Sequence, residues 1–473
     1  MDWNSDTLRV RFCHALSEMY KSEVPLYGDL ADLVWEADAQ AVRSNQEMGG
    51  QDIADPDDIL PSRNRVERHG AIRLGTAYEL STIRRMFATM GMFPVGYYDL
   101  SVAGFPMHAT AFRPKGRDAL SRHPFRVFTT VLRMDLLTPA TRELAQRALK
   151  QRNLFTERLV ELVGRAEVKG QLSPSEGTEF IAEGLETFRW HSQASLTLDE
   201  YQLLKAEHPL IADVVSFRSC HINHLTPRTV DIDLVQKLMR EHGMPAKERI
   251  EGPPRRTHPI LLRQTSFQAL QETVYFRDAS DAFIKGSHTA RFGEVEQRGY
   301  ALTRSGRQLY DRILTRVNAE AAKNHADATE YGVILRNRFL EFPDDLPQLH
   351  SQRLAYFLYR LTPQGENLAG TLNSPAGKGE TTLSGLLGQG VLEYEPITYE
   401  DFLPLSAGGI FNSNLDTVSK SKQLIRDAEP DLDGFQRLLG TPITDEFQLY
   451  GQMQQESLEH CRKQLGIGAI LDH

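Results

Sequence analysis

The chain is poor in cysteine: Cys13, Cys220 and Cys461 are the only three in 473 residues. An odd number at such wide spacing builds neither a disulfide framework nor a paired zinc site. No run approaches the ~18 consecutive apolar residues of a membrane-spanning helix. Positive charge is not in excess either. The 54 Lys+Arg stand against 63 Asp+Glu, a net charge of −9, whereas a protein that mainly grips nucleic acid needs concentrated basic surface. The amino terminus, Met-Asp-Trp-Asn-Ser-Asp, has acids where a signal peptide needs a basic run and an apolar core. There is no Gly-x-Ser-x-Gly elbow. Gly377-Lys378-Gly379-Glu380-Thr381-Thr382 has the composition of a phosphate loop without its order. These absences leave the expectation of a soluble, cytoplasmic protein, of about three domains by length, with enough chain to enclose a site.

Helical patterning opens the chain. Leu8, Phe12, Leu16 and Met19 share one helix face, as do Leu30, Leu33, Val34 and Ala37. Residues 139–206 read as helical again, with Pro139 suited to a first turn and Thr156 and Ser173 to N-caps. Strand-like composition marks Ala71–Leu74, Val95–Leu100, Phe125–Leu137, Asp213–Cys220, Ile260–Phe267 and Arg291–Leu302. The stretch Gly365–Gly390 holds seven glycines and reads as a surface connection. The expected segments are therefore helical 1–60, β-rich 61–138, helical 139–210, β-rich 211–310 and a helical and loop region over 311–473.

A short internal repeat places two histidines. His69-Gly70-Ala71-Ile72-Arg73 precedes a helix pattern that stops at Gly91-Met92. His224-Leu225-Thr226-Pro227-Arg228 precedes another that stops at Gly243-Met244. In each, a strand-leading histidine is followed four residues later by an arginine, and a helix closes on glycine. Period-2 alternation puts His69 with Arg73, and His224 with Arg228, on common sides. His221 and His224 are three apart, hence on opposite faces of a strand; the repeat selects His224. Downstream, Glu294 and Glu296 share one face of a strand among apolar neighbours, and their spacing does not choose between them. Two histidines and a carboxylate are the facial set that holds non-haem Fe(II) with open positions. His288, Arg291 and Gln264 are candidates to line the site or support its ligands. Arg255 and Arg256 read as coating a turn.

The two units resemble the βαβββ modules of the vicinal oxygen chelate superfamily. Phe292-Gly293-Glu294-Val295-Glu296-Gln297-Arg298 is similar to the metal-carboxylate strand of 4-hydroxyphenylpyruvate dioxygenases, a likeness that favours Glu294. Four longer segments, 66–73, 220–228, 289–294 and 399–406, resemble the 2-oxoadipate dioxygenase/decarboxylase family, also called hydroxyglutarate synthases. The likeness extends to Asp445–Tyr450. It implies an α+β fold: a vicinal-oxygen-chelate-like curved β-sheet from two βαβββ-like modules, surrounded by helices. It implies that His69, His224 and Glu294 hold Fe(2+), and that Arg73 is catalytic, binding a substrate carboxylate. His69, Arg73, Leu405 and Ser406 would contact a 2-oxo diacid that reacts with O2. Leucine at 405, where the family has valine, narrows the pocket slightly and bears on chain-length preference. The rival readings are another vicinal-oxygen-chelate metalloenzyme, an isomerase or ring-cleaving dioxygenase, and a non-catalytic ligand-binding relative.

Overall fold

The structure is a computed structural model that describes residues 3–49, 67–278, 282–369, 380–403, 425 and 428–471. It is mixed α+β and divides into two compact units. The first comprises Met1–Gly252, Arg263–Gln297 and Asp401–Thr444. It opens with helices α1 (Ser5–Glu23) and α2 (Pro25–Gly49). Asn4 caps α1 by accepting from the Thr7 amide. The two apolar stripes expected of these helices are buried in the core, Phe12, Leu30 and Ala37 completely.

The central sheet follows from a strand–helix–three-strand run. β1 (Glu67–Leu74) is followed by helix α3 (Ala77–Thr89), then β2 (Phe93–Asp99), β3 (Met107–Arg113) and β4 (Arg126–Leu132). A capping box between Thr76 and Glu79 starts α3. Gly91, at φ 69°, takes the left-handed turn that ends it. β1 lies parallel to β4, and the other neighbours are antiparallel, in the order β2-β3-β4-β1-β6, where β6 is the later strand Leu225–Pro227.

Between β4 and β6 (Leu225–Pro227) come α4 (Pro139–Lys150), α5 (Glu157–Lys169), α6 (Pro174–Phe188), β5 (Gln193–Thr197), α7 (Leu198–Glu207) and α8 (Pro209–Ser216). Pro139 occupies the first turn of α4, and Thr156 and Ser173 cap α5 and α6. β5 interrupts the stretch expected to be wholly helical.

The second unit of the repeat runs through β6 and α9 (Ile232–Glu241) to Gly243, again at positive φ. β7 (Leu262–Ser266) pairs with β10 (Glu294–Arg298). A parallel bridge, Arg228↔Glu296, sets β10 beside β6, and bridges from Ala246 and Glu251 add a further edge to β7. Strand order thus continues past β6 through β10 and β7. The hairpin β8 (Gln271–Arg277) and β9 (Phe283–Thr289) is inserted between them and pairs with β5.

Gly70 lies where β1 and β6 approach. A Cβ there would meet Ile222 Cδ1 at 2.8 Å and the His224 carbonyl oxygen at 3.2 Å.

Three sequence expectations need correction. Asp213–Cys220 is not a strand: residues 209–216 form α8, with Pro209 at its start and the His208 side chain accepting from the Leu210 amide. Every residue from Leu210 to Ser216 is buried, and a run buried on all sides, apolar but for Asp213 and Ser216, carries no periodicity to separate helix from strand. β4 stops at Leu132 and gives way to a 3-10 turn, Met134–Leu136. The glycine-rich connection is partly regular, with helices Pro363–Ala369 and Leu383–Gly388 and strand Glu380–Thr382. Residues 370–379, which hold the first half of the phosphate-loop look-alike, lie outside the described residues.

The second compact unit comprises Pro253–Leu262, Arg298–Glu400 and Asp445–His473. It contains helices Arg304–Asn324, Ala328–Arg338 and Glu446–Leu465 and the antiparallel pair Phe357–Leu361 and Leu392–Pro396. Arg256 does not merely coat a turn. Its guanidinium, 4% exposed, donates to the carbonyls of Phe342 and Pro343.

Candidate metal centre and substrate site

Three side chains from neighbouring strands converge in the first unit. β1 supplies His69, the segment entering β6 supplies His224, and β10 supplies Glu294. His69 stands opposite Thr226 in the antiparallel β1–β6 register, which sets the two histidines side by side at a ring separation of 5.4 Å. His69 Nε2 is 2.8 Å and His224 Nε2 3.9 Å from Glu294 Oε1. One ligand atom from each of the three lies within 4.8 Å of the others, and all three residues are buried. Ligands at ~2.1 Å from one ion on perpendicular bonds stand about 3 Å apart, so the cluster fits a single first-row metal. Burial drives the His224 imidazole down to about 3, aided by His69, Arg73 and Lys247 and opposed by Glu294. The ring is neutral, with a lone pair to give. Burial opposes ionisation of Glu294, but His224 and His69 outweigh it and hold the carboxyl below its ordinary range.

The surroundings orient these ligands. His69 Nδ1 is 2.8 Å from Glu296 Oε2, and Arg126 Nη1 contacts the other Glu296 oxygen at 3.3 Å. Glu294 and Glu296 do share a face, as expected, and each addresses a different nitrogen of His69. A carboxylate on Nδ1 selects the tautomer that leaves Nε2 for a metal. Gln264 donates to Glu294 Oε1 at 2.7 Å, and Thr226 Oγ1 reaches the same oxygen at 3.2 Å. Phe402 packs edge-on to His69 at 4.8 Å, and Phe292 stacks on His224 at 4.6 Å.

Asp401 accepts Nε and Nη2 of Arg113 at 2.6 and 2.9 Å, and the Phe402 amide donates to Tyr98 Oη. Arg113 and Asp401 are both buried. Asp401→Ala, which takes its carboxylate partner from that buried guanidinium, is expected to cost about 3–5 kcal/mol; urea unfolding measures it.

Arg73 stands farther along β1, where its Nη1 donates to Asp213 Oδ2 at 2.5 Å. Among the described residues Asp213 is its one hydrogen-bond partner, which leaves Nε and Nη2 for another acceptor. His221 and His288 belong to this second cluster. Their Nε2 atoms lie 3.2 and 2.8 Å from Asp213 Oδ1, and Tyr201 Oη is 2.9 Å from His288 Nδ1. Burial opposes charge on Asp213, but Arg73, followed by His221 and His288, holds it well below the usual carboxylate range.

Residues 221–224 are irregular, not strand. His221 and His224 therefore diverge through the path of the segment, not by alternation. Arg291 is engaged by Glu23 and Glu272 and lies over Trp190. Leu405 and Ser406 lie outside the described residues.

Sequence reasoning missed Asp213 and Tyr201. A signal for Asp213 was present, because a lone acid inside an apolar run must find partners when buried. Cys13, Cys220 and Cys461 are buried and free, and burial pushes the Cys220 thiol up, away from nucleophilic use. No helix among the described residues is long and apolar enough to cross a membrane.

The chain compares with known proteins over nearly its whole length. Residues 12–414 match the family model described as 2-oxoadipate dioxygenase/decarboxylase. Proteins of that name from Pseudomonas putida and Escherichia coli are 49% and 47% identical, covering 98% and 97% of this chain and 98% of each relative. The crystal structure of the hydroxyglutarate synthase from Pseudomonas putida in complex with 2-oxoadipate superposes with a TM-score of 0.83. It is 45% identical and covers 98% of this chain and 99% of that one. A match this long, at nearly half identity, leaves one assignment: the chain belongs to the 2-oxoadipate dioxygenase/decarboxylase family.

Proposed function

We propose that this enzyme converts 2-oxoadipate and O2 into 2-hydroxyglutarate and CO2 at a divalent iron held by His69, His224 and Glu294. The atoms balance: six carbons become five plus one, and the product and CO2 together carry both oxygens of O2. The observation that carries the reading is the buried two-histidine, one-carboxylate cluster, with Arg73 four residues from His69 on the same strand. Iron in such a site supplies a chelation point for a 2-oxo acid and electrons for O2.

The protein's own groups do the rest. Glu296 keeps His69 in its ligating tautomer, and Gln264 and Thr226 aim Glu294. Phe402 and Phe292 wall the two imidazoles and keep water off them. Arg73 pairs a substrate carboxylate through the guanidinium edge that Asp213 leaves open, a planar contact a lysine cannot reproduce. Leu405 and Ser406, shortly after Phe402, would complete the substrate wall. The strand order supports a vicinal-oxygen-chelate arrangement of two βαβββ modules, joined where β1 meets β6.

One assay tests the activity. Anaerobic protein is loaded with Fe(II) and 2-oxoadipate, then given O2; one CO2 and one 2-hydroxyglutarate per O2 are expected. Oxygen uptake without CO2, or isomerisation without oxygen, overturns the reading. His221→Ala is expected to retain iron, since His221 faces Asp213. Metal analysis after dialysis checks this, and loss of iron there but not in His224→Ala reverses the assignment.

A further inference from the structure

Asp213 is a buried carboxylate with no place in the metal cluster, yet both its oxygens are occupied. Oδ1 faces His288 Nε2 at 2.8 Å and His221 Nε2 at 3.2 Å, and Oδ2 takes Arg73 Nη1 at 2.5 Å. The hydrogen bonds run in one consistent direction. Tyr201 donates its hydroxyl proton to His288 Nδ1, the opposite nitrogen donates Nε2–H to Asp213, and Arg73 donates from the other side. Tyr201 is on α7, Asp213 on α8 and His288 on β9, so the helical insertion and the inserted hairpin jointly hold the carboxylate that β1 presents Arg73 to. Asp213, His288 and Tyr201 are all buried. A second metal centre does not explain the cluster, because the Arg73 guanidinium would sit against any cation bound by the same carboxylate.

We infer that Asp213 is a positioning residue for substrate binding: anchored by His288 and Tyr201, it clamps one edge of Arg73 so that the other edge meets a carboxylate of the 2-oxo diacid. This rests on the reading of Arg73 as the substrate-carboxylate partner. A long arginine otherwise samples many rotamers, and fixing it in advance removes that cost from each binding event.

Binding of 2-oxoadipate to metal-loaded protein without O2, followed by calorimetry, tests this in wild type, Asp213→Asn, Arg73→Ala and the double variant. Asp213→Asn is expected to weaken binding about tenfold where Arg73 is present and less than about twofold where it is absent. In turnover, KM rises with kcat within about threefold. Tyr201→Phe, which leaves Asp213 in place, is expected to weaken binding two- to threefold, again only with Arg73 present. It decides the matter if Asp213→Asn does not fold.

Equal weakening with and without Arg73, or no weakening in folded Asp213→Asn, overturns the positioning role and leaves the Arg73 reading standing. Wild-type affinity in Arg73→Ala alone is a different result: it removes the Arg73 reading, and this inference falls with it.

Discussion

Glu294→Ala is expected to purify without metal and to lose more than about 100-fold of its turnover, while still folding. Removing a partner that only orients a ligand typically costs 10–100-fold, and Glu294 is itself one of three ligating groups. Its carboxylate also draws the site together, because His69, Thr226 and Gln264 all contact its Oε1 and His224 faces the same atom. Folding survives because the core is built elsewhere, from α1, α2, α3 and the apolar faces of the sheet. Glu296→Gln is the informative contrast. It weakens the bond to His69 Nδ1 without removing a ligand, so it is expected to keep some metal and lose about 10–100-fold of affinity. Metal content after anaerobic dialysis, with thermal melting alongside, reads both. If Glu296→Gln loses its metal and Glu294→Ala keeps it, the two acids have been assigned the wrong way round.

Arg73→Ala should do the opposite: full metal, little activity. The substitution leaves two carboxylates without their cation, that of Asp213 and that of the substrate. A buried charge stripped of its partner costs about 3–5 kcal/mol, so kcat/KM for 2-oxoadipate is expected to fall by about two to four orders of magnitude. Arg73→Lys is expected to recover little, because a point charge reaching Asp213 cannot also lay a planar edge along a second carboxylate. The measurement is kcat/KM beside iron content. Near-wild-type turnover with full iron in Arg73→Ala removes Arg73 from the site and leaves Arg228 as the next candidate, since Arg291 is held by Glu23 and Glu272.

Local rules carried far along this chain. The buried faces of α1 and α2, the caps at Thr156 and Ser173 and the glycine turns at 91 and 243 all follow from patterns a few residues long. So does the common face of Glu294 and Glu296, which depends only on the alternation of a strand. Where the local pattern was degenerate the reading failed, as in α8, whose apolar residues suit a helix and a strand equally.

Other features had no local cause. His69 and Glu294 are 225 residues apart, and they meet because β1 pairs with β6 in one register and β10 lies beside β6. That register also decides that Glu294 faces His224 while Glu296 faces the far nitrogen of His69, a choice spacing could not make. The sequence held a signal for Asp213, but its partners, Arg73 of β1 and His288 of β9, became visible only in the folded chain. The sequence alone determined which residues could do the chemistry and which faces they share, because those are properties of backbone periodicity. Only the tertiary structure decided which of them touch, because contact between distant segments depends on strand register and packing that no short window of sequence contains.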